Sequence, residues 1–438
     1  MQNRLGQLFK IRALSFTLEE TMSNFLTSLR MLRYFFLLTP LCIGIGLHTY
    51  LATKKKPAIK IGLLHALTGP VAIKTEQSIL SMELYTIEQL NKAGGLLGHL
   101  IEPVIKDFQG DPKLAASMAE SLIKHDRVDF IFGGAASDGR RQISQIATKH
   151  NKFYFCSINH EGLDISPNTI FCNHTANQHL MVAMHWGKKN LGDRIFLIGS
   201  DTPYSRINHQ LANAYAESLN KKLVGESFIL SKNNNFKETM AAIEATKPTL
   251  IISTSFGNAN IPLIKALYEN KITIPIIWLH FSFSHLPHLD KKMLKKHYFI
   301  NSYFENIENP INKSFITSLR ETLGYSQAVG NQEEAAYTAL QLWAEAIKES
   351  GSLKIDSIKK ALSNNLCIAA PDGPVFLDPE KLYAWKNSYI ATFDNHEHLK
   401  IVWQSQKPIN PDPFPEFRTK AEWADLVITA TKQSKDVQ

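Results

Sequence analysis

The sequence predicts an α/β protein of two Rossmann-like lobes with multiple crossovers between them, preceded by a hydrophobic segment. Three observations predict this. From Ile59 onward, short runs of apolar β-forming residues alternate with amphipathic stretches at helical spacing, the signature of parallel sheets covered by helices. The alternation comes in two runs joined near residue 175, each with several βα units. The chain of 438 residues is 44% hydrophobic, which is enough apolar material for more than one core.

In chain order, residues 59–65 (IKIGLLH) read as the first strand. Residues 78–93 carry Ile79, Met82, Leu84, Ile87 and Leu90 near helical spacing and stop at Gly94-Gly95, a natural helix terminator. Strand 101–106, helix 112–125, strand 128–133, helix 140–150 and strand 153–158 complete the first run. The second run reads as strand 194–198, helix 208–220, strand 222–229, helix 236–245, strand 250–254 and helix 261–270. A short strand at 276–279 follows, entered through Pro275, where proline is tolerated. Helix 333–350 follows a loop. Residues 375–403 read as β-ribbon, with turn signals at Pro371-Asp372-Gly373 and Asp394-Asn395, and the Pro-rich 408–417 wraps the surface. The predicted organisation is an extension at 1–56, a two-lobed domain at 57–418 and a tail at 419–438. Lobe 1 takes 57–174 and 303–366, and lobe 2 takes 175–302 and 367–418.

Residues 34–52 (YFFLLTPLCIGIGLHTYLA) are strongly apolar and free of Asp, Glu, Lys and Arg. That length suits a minimal membrane-spanning helix or a long signal-peptide core. Arg30 and Arg33 precede it and Lys54, Lys55 and Lys56 follow it, so charge leaves the orientation open. Tyr50-Leu51-Ala52 places a large residue where signal cleavage wants a small one, so removal is open too. Translation from Met22 or Met31 would give a more ordinary export signal. Either way the segment reads as a targeting or anchoring element.

The net charge of +8 raises a nucleic-acid reading. Outside Lys54 to Lys56, however, the basic residues are scattered among acidic ones, with no patch or stripe of readers, so no nucleic-acid partner is expected. Four cysteines, Cys42, Cys156, Cys172 and Cys367, contain no C-x-x-C pair, which speaks against a zinc or redox motif. Cys156 and Cys172 are read as small buried hydrophobes, with a bridge as the alternative. No G-x-S-x-G elbow, Walker loop or H-E-x-x-H occurs, and no nucleophile–base pair is evident, so catalysis is not expected. His280, His285 and His288 fit no single helix face and are read as solvated loop histidines; no metal and no cofactor are expected.

In doubly wound sheets ligands bind beyond the carboxyl ends of the strands. The loops there are short, polar and rich in small residues: His65 to Gly69, Gly133 to Gly139, Gly199 to Arg206 and Ser253 to Asn258. Each offers hydroxyls and backbone N–H groups at a helix start, suited to a carbonyl or carboxylate. One such loop is explained by N-capping alone. Four on corresponding strand ends point to a shared cleft.

Beside this reading stands a resemblance. Lys60 to His65 with Thr68-Gly69, then Asn91 to Gly95 with Gly98, open the pattern. Glu161-Gly162, Ala176-Asn177-Gln178, Gly199-Ser200-Asp201 with Tyr204 and Arg206, and Ser253-Thr254 continue it. Glu334 to Tyr337, Leu342-Trp343-Ala344, Ala370-Pro371 with Gly373-Pro374, and Trp403 with Pro408-Ile409 close it. In this order, over about 59–414, the chain resembles type I periplasmic solute-binding proteins of the branched-chain amino acid class, in particular the urea and short-chain amide receptors of ABC transporters.

The resemblance implies two lobes that close on a small polar solute by hinge motion, delivering it to ABC permease subunits. It implies that Ser137 hydrogen-bonds the ligand, and that Tyr204 supplies an aromatic hydroxyl. Thr202 and the Ser253-Thr254 loop are expected to close over the ligand with Tyr204. Where urea and amide receptors carry tyrosines, this chain has Cys156, His160 and Thr202, so Cys156 joins the candidate ligand-binding residues. Ala135 stands where a tryptophan is expected, and Ser284-His285-Leu286 where an acidic run is expected; both changes bear on which solute fits. The alternative on the same fold is an amide-sensing regulator or membrane sensor that signals to a protein partner.

Overall fold

The computed structural model describes Met22 and residues 56–69, 74–134, 136–230, 235–324 and 327–434. The apolar stretch 34–52 and Cys42 lie outside the described residues, among which no helix is long and apolar enough to cross a membrane.

The first sheet is built from β1 (Ile59–His65), β2 (Ile101–Asp107), β3 (Phe130–Gly133), β4 (Phe153–Cys156) and β5 (Thr169–Phe171), in the order β2-β1-β3-β4-β5. All its pairings are parallel. The connecting helices are α1 (Lys74–Lys92), α2 (Pro112–Lys124) and α3 (Ser137–Lys149). Helix α2 starts where Asp111 accepts hydrogen bonds from the Lys113 and Leu114 amides and Pro112 fills the first position, which satisfies groups a helix start leaves open.

The second run contains α4 (Leu180–Asn190), β6 (Ile195–Ser200), α5 (Pro203–Ser218), β7 (Gly225–Ile229), α6 (Lys237–Thr246), β8 (Leu250–Ser253), α7 (Asn260–Glu269), β9 (Ile276–Trp278) and β10 (His297–Asn301). The chain then forms α8 (Pro310–Leu323), α9 (Asn331–Ser350) and α10 (Ile355–Leu362). It ends in β11 (Cys367–Ala370), β12 (Gly373–Leu377), β13 (Ala384–Trp385), β14 (Tyr389–Phe393), β15 (Leu399–Gln404) and α11 (Lys420–Gln433). The second sheet has the order β15-β14-β10-β9-β8-β6-β7 and is parallel from β10 to β7, while β14 and β15 run antiparallel at its edge.

Strand periodicity sorts each sheet's two faces. Ile59, Ile61 and Leu63, with Phe130, Phe132, Phe153 and Phe155, bury one face of the first sheet against α1, α9 and α10. Leu64, Ile131, Tyr154 and Cys156 bury the other face against α2 and α3. The second sheet is covered by α4, α5 and α11 on one side and by α6 and α7 on the other. Trp343 of α9 packs edge-on against Phe130 and Phe132, at ring-centroid distances of 5.2 and 5.5 Å.

Several expectations need correction. Residues 367–418 do not all belong to the second lobe: Ala370, Val375, Leu377, Leu382 and Ala384 sit in the first sheet's core, and only β14 and β15 join the second sheet. The predicted tail holds a helix instead. Thr419 and Glu422 form a capping box at the start of α11, and Trp423 is buried where α11 packs on α5. The predicted loop before α9 contains α8. Cys156 and Cys172, by contrast, are the small buried residues expected, free thiols each in a core, and the alternative bridge does not form.

Three crossovers join the lobes: β5 to α4, β10 to α8, and β13 to β14. Asn331, at the start of α9, ties the first two. Its Oδ1 accepts from the Ser302 and Tyr303 amides at 2.9 and 3.1 Å, and its Nδ2 donates to Asn159 and Asn173 at 3.2 Å each. Gln178 donates to the Ala384 and Ile409 carbonyls, and Ser388 Oγ donates to the Gln178 carbonyl, tying the first crossover to the third. Lys386, on the third crossover, is fully buried between Glu334 and Asp372.

Candidate functional site

Strand β3 ends at Gly133, whose φ of +140 is a glycine conformation and where a Cβ would run into the Leu64 carbonyl. The chain then enters α3 with Ala136 at the N-cap and no side-chain cap, so the helix start presents uncapped amides. Ser137 is the first helical residue and is buried. Its Oγ donates to Glu161 Oε2 at 3.1 Å. Glu161 also receives Arg140 Nη2 at 2.9 Å and Arg141 Nη2 at 2.5 Å, and Arg140 reaches Asp164 at 3.2 Å. Burial alone would raise the Glu161 carboxyl; the two arginines overturn this and hold it at about 2. The first lobe therefore carries an ionised, internally balanced cluster at the mouth of α3, and the Ser137 proton is committed to it.

The facing half is the start of α5. Thr202 is its N-cap, accepting from the Ser205 amide at 3.4 Å, and Pro203 occupies the first position. Asp201 is held by Arg206, with Nε 2.6 Å from Oδ1. Tyr204 points its hydroxyl between two imidazoles, 3.2 Å from His179 Nε2 and 2.6 Å from His280 Nε2. The proton positions follow from the partners. His179 Nδ1–H donates to the Thr175 carbonyl at 3.0 Å, which leaves Nε2 as an acceptor for the Tyr204 O–H. His280 Nε2–H then donates to the Tyr204 oxygen. Burial lowers His179 to about 4, and burial together with the His179 charge lowers His280 to about 3, so both rings are neutral near pH 7.

The two halves meet across the lobes. Helices α3 and α5 are in contact, and the Tyr204 hydroxyl, raised first by burial, is raised further by the charge of Glu161 on the other lobe. Ser137, Thr202 and Tyr204 thus lie at two helix starts that face each other. Ser253, Thr254 and Cys156 are placed differently. Ser253 Oγ is 2.7 Å from Ser255 Oγ, which donates to Asn260 Oδ1 at 2.8 Å. Thr254 Oγ1 pairs with His209 Nε2 at 3.0 Å. Both residues are fully buried in the second lobe's own network. Cys156 lies in the apolar core beneath α2 and α3, with its thiol pushed up by burial; a side chain on that face of β4 cannot reach the cleft without opening the core. His160 is buried as well, with Nδ1 accepting from the Gly162 amide at 3.1 Å.

Sequence reasoning missed Arg140, Arg141, His179 and the role of His280, which is half-buried and bonded to Tyr204 rather than simply solvated. His285 is buried, packed against Phe281. The two arginines carried a usable signal: they follow directly on the polar loop after β3, and in the structure they are the fourth and fifth residues of α3. Among the described residues no three of His, Cys, Asp and Glu gather closely enough to hold a metal ion.

Comparison with known proteins agrees with this architecture. Residues 59–420 match the sequence profile of the periplasmic binding protein domain. A leucine-, isoleucine-, valine-, threonine- and alanine-binding protein of Pseudomonas aeruginosa is 39% identical over 88 residues; the match covers 20% of this chain and only 23% of that protein's length. The crystal structure of the protein of that name from Brucella ovis, in a closed conformation, superposes with a TM-score of 0.72 at 19% identity, over 81% of this chain and 97% of the other. A solute-binding protein of an R. palustris ABC transporter, in complex with 4-hydroxybenzoate, gives 0.71 at 18% identity, over 81% and 98%. With two largely parallel sheets, each covered by helices, and a family match over residues 59–420, the chain belongs to the periplasmic binding protein domain family.

Proposed function

We propose that the chain is the solute-binding subunit of an ABC transporter, working at the extracytoplasmic face of the membrane and closing on a small polar solute such as urea, a short-chain amide or an amino-acid-like molecule. The observation that carries this is the pair of facing helix starts. Helix α3 brings uncapped amides with Ser137, α5 brings Thr202 and Tyr204, and three crossovers let the halves part and close. A solute held there receives hydroxyl and amide contacts from both lobes and is shielded from water, which strengthens each polar contact. The relatives support the class of role: one structural neighbour was solved with 4-hydroxybenzoate, and others are named for branched-chain amino acids. They are solute carriers rather than enzymes, and the site holds no activated nucleophile, which supports a receptor. The partners are then the solute and the permease subunits that accept it.

The test is a thermal-shift screen of the purified chain against urea, short-chain amides and amino acids. A solute at 100 times its Kd stabilises by about 2.7 kcal/mol, and Ser137→Ala removes most of that shift. The reading fails if no solute stabilises the protein, and the assignment of Ser137 fails if the shift survives its loss.

A further inference from the structure

The strand end that opens the first lobe carries a charge arrangement separate from the Glu161 cluster. His65, the last residue of β1, is fully buried, and both its ring nitrogens face carboxylates of α1. Nδ1 is 2.9 Å from Glu76 Oε2, and Nε2 is 2.7 Å from Glu83 Oε2. A neutral ring would turn a lone pair on one of these oxygens, so the ring is an imidazolium donating twice. Burial alone would push His65 down, but the two carboxylates outweigh it and raise it to about 10. One positive charge thus stands between two negative ones, leaving a net negative charge. Glu83 is buried, whereas the Glu76 side chain keeps 14% of its surface exposed.

That remaining charge faces the cleft loop. Glu76 Oε1, the oxygen His65 does not use, lies 3.5 Å from where a Cβ on Gly134 would sit, in the loop that leads into α3. Strand alternation places the surroundings. His65 continues the face of Ile61 and Leu63, Gly134 that of Phe130 and Phe132, and Ser157 that of Phe153 and Phe155. The three ends lie side by side across β1, β3 and β4. Ser157 Oγ is buried and has no hydrogen-bond partner among the described residues, although its amide bonds the Gly133 carbonyl at 3.4 Å. A buried hydroxyl without a partner is costly unless something fills the position.

We infer that Glu76 is a ligand-binding carboxylate of the first lobe and that the solute it selects carries a protonated nitrogen, an ammonium or amidinium group, with Ser157 accepting or donating beside it. The inference rests on the receptor reading above and narrows it. At Gly134 the lack of a side chain lets Ile158 Cγ2 pack where a Cβ would sit, beside Oε1, and His65, pinned by Glu83, fixes the other oxygen so that this carboxylate is oriented before the solute arrives. A nitrogen-free carboxylic acid would meet like charge there.

The test uses the full chain in thermal-shift and calorimetric titrations with two sets of probes. One holds L-leucine, L-arginine and agmatine; the other holds their nitrogen-free or uncharged counterparts 4-methylpentanoate, 4-hydroxybenzoate, urea and acetamide. Binding by a member of the first set, with none by the second, is expected. Glu76→Gln keeps the hydrogen bond to His65 but removes the charge, and lowers affinity for the bound probe about 10- to 100-fold, with the circular-dichroism spectrum unchanged. Ser157→Ala weakens binding while leaving the ligand-free melting temperature the same or higher, a split that a merely structural hydroxyl would not give. Binding of 4-hydroxybenzoate, urea or acetamide in preference to the cationic probes overturns the inference and leaves the receptor reading standing, as does full affinity in Glu76→Gln. If no probe of either set binds, the receptor reading falls and the inference with it.

Discussion

Replacing Lys386 with Met tests how the third crossover is held. The Lys386 ammonium lies 2.5 Å from Asp372 Oδ2 and 3.2 Å from Glu334 Oε2, and all three side chains are excluded from solvent. The Asp372 carbonyl accepts from Asn387 and from Tyr389 at the start of β14, so the cluster joins the β11–β12 turn, α9 and the crossover at one point. Methionine preserves the stem and removes the charge, leaving two buried carboxylates without a cation. Breaking a buried pair in this way costs about 3–5 kcal/mol. For a unit of roughly 380 residues, with an unfolding entropy of about 2.1 cal/mol/K per residue, that is a fall of about 4–6 °C in Tm. The loss also depends on pH. Burial, then the Glu334 charge, already raise Asp372 above the ordinary carboxylate value, and Lys386 pulls it back. Without Lys386 the carboxyl rises further and the folded state holds a proton the unfolded chain has released. A raised acid contributes stability below its unfolded value and loses it as pH rises through the folded value, so the deficit is largest at pH 8 and shrinks towards pH 5. Urea denaturation followed by circular dichroism at both values measures it. A loss under about 1 kcal/mol at pH 8, or a deficit that grows on acidification, refutes the reasoning.

Two further outcomes follow from packing and covalent state. Gly199→Ala places a Cβ 2.5 Å from Thr254 Oγ1, 2.7 Å from Ser205 Cβ and 2.9 Å from His209 Nε2; overpacking of this kind costs about 1–3 kcal/mol, and a variant melting with the wild type would show that the packing at the end of β6 yields freely. Because Cys156 and Cys172 are free thiols, dithiothreitol leaves the melting temperature of the oxidised preparation unchanged, and a fall of several degrees would reveal a bridge.

The alternating core was legible because burial writes it directly into the sequence. Ile59–His65 was read to the residue, since a parallel strand buried on both faces is a near-continuous apolar run. Helix starts were harder. The α3 start was placed three residues late and the α5 start five residues late, because Ser137-Asp138-Gly139 and Pro203-Tyr204 read as loop. In both cases polar first turns face the cleft, where no apolar periodicity marks them. Helix α8 was missed for a related reason: only Asn312, Phe315 and Leu319 of its residues are buried, too few to stand out from its solvated face. The β-ribbon was recognised, but not its division between two lobes, because strand propensity carries no information on which sheet a strand joins.

The site shows the same limit in sharper form. Hydroxyls at strand ends are visible in a sequence; their partners are not. Ser253, Thr254 and Tyr204 were equivalent candidates as residue types, yet His209 and Ser255 draw the first two into the second lobe's interior, while His179 and His280 hold the third at the contact with α3. What separates them is which lone pairs and protons are already used, and for Thr254 and Tyr204 that depends on residues 25 to 76 positions away in the chain. The two halves are prepared by different physics. The first lobe is set by full charges, Glu161 and Asp164 against Arg140 and Arg141, and the second by neutral imidazoles of fixed tautomer. Neither half needs a change of protonation to meet the other. Closure on a solute can therefore proceed without proton uptake near neutral pH, and the energy of the contacts is left to discriminate between solutes.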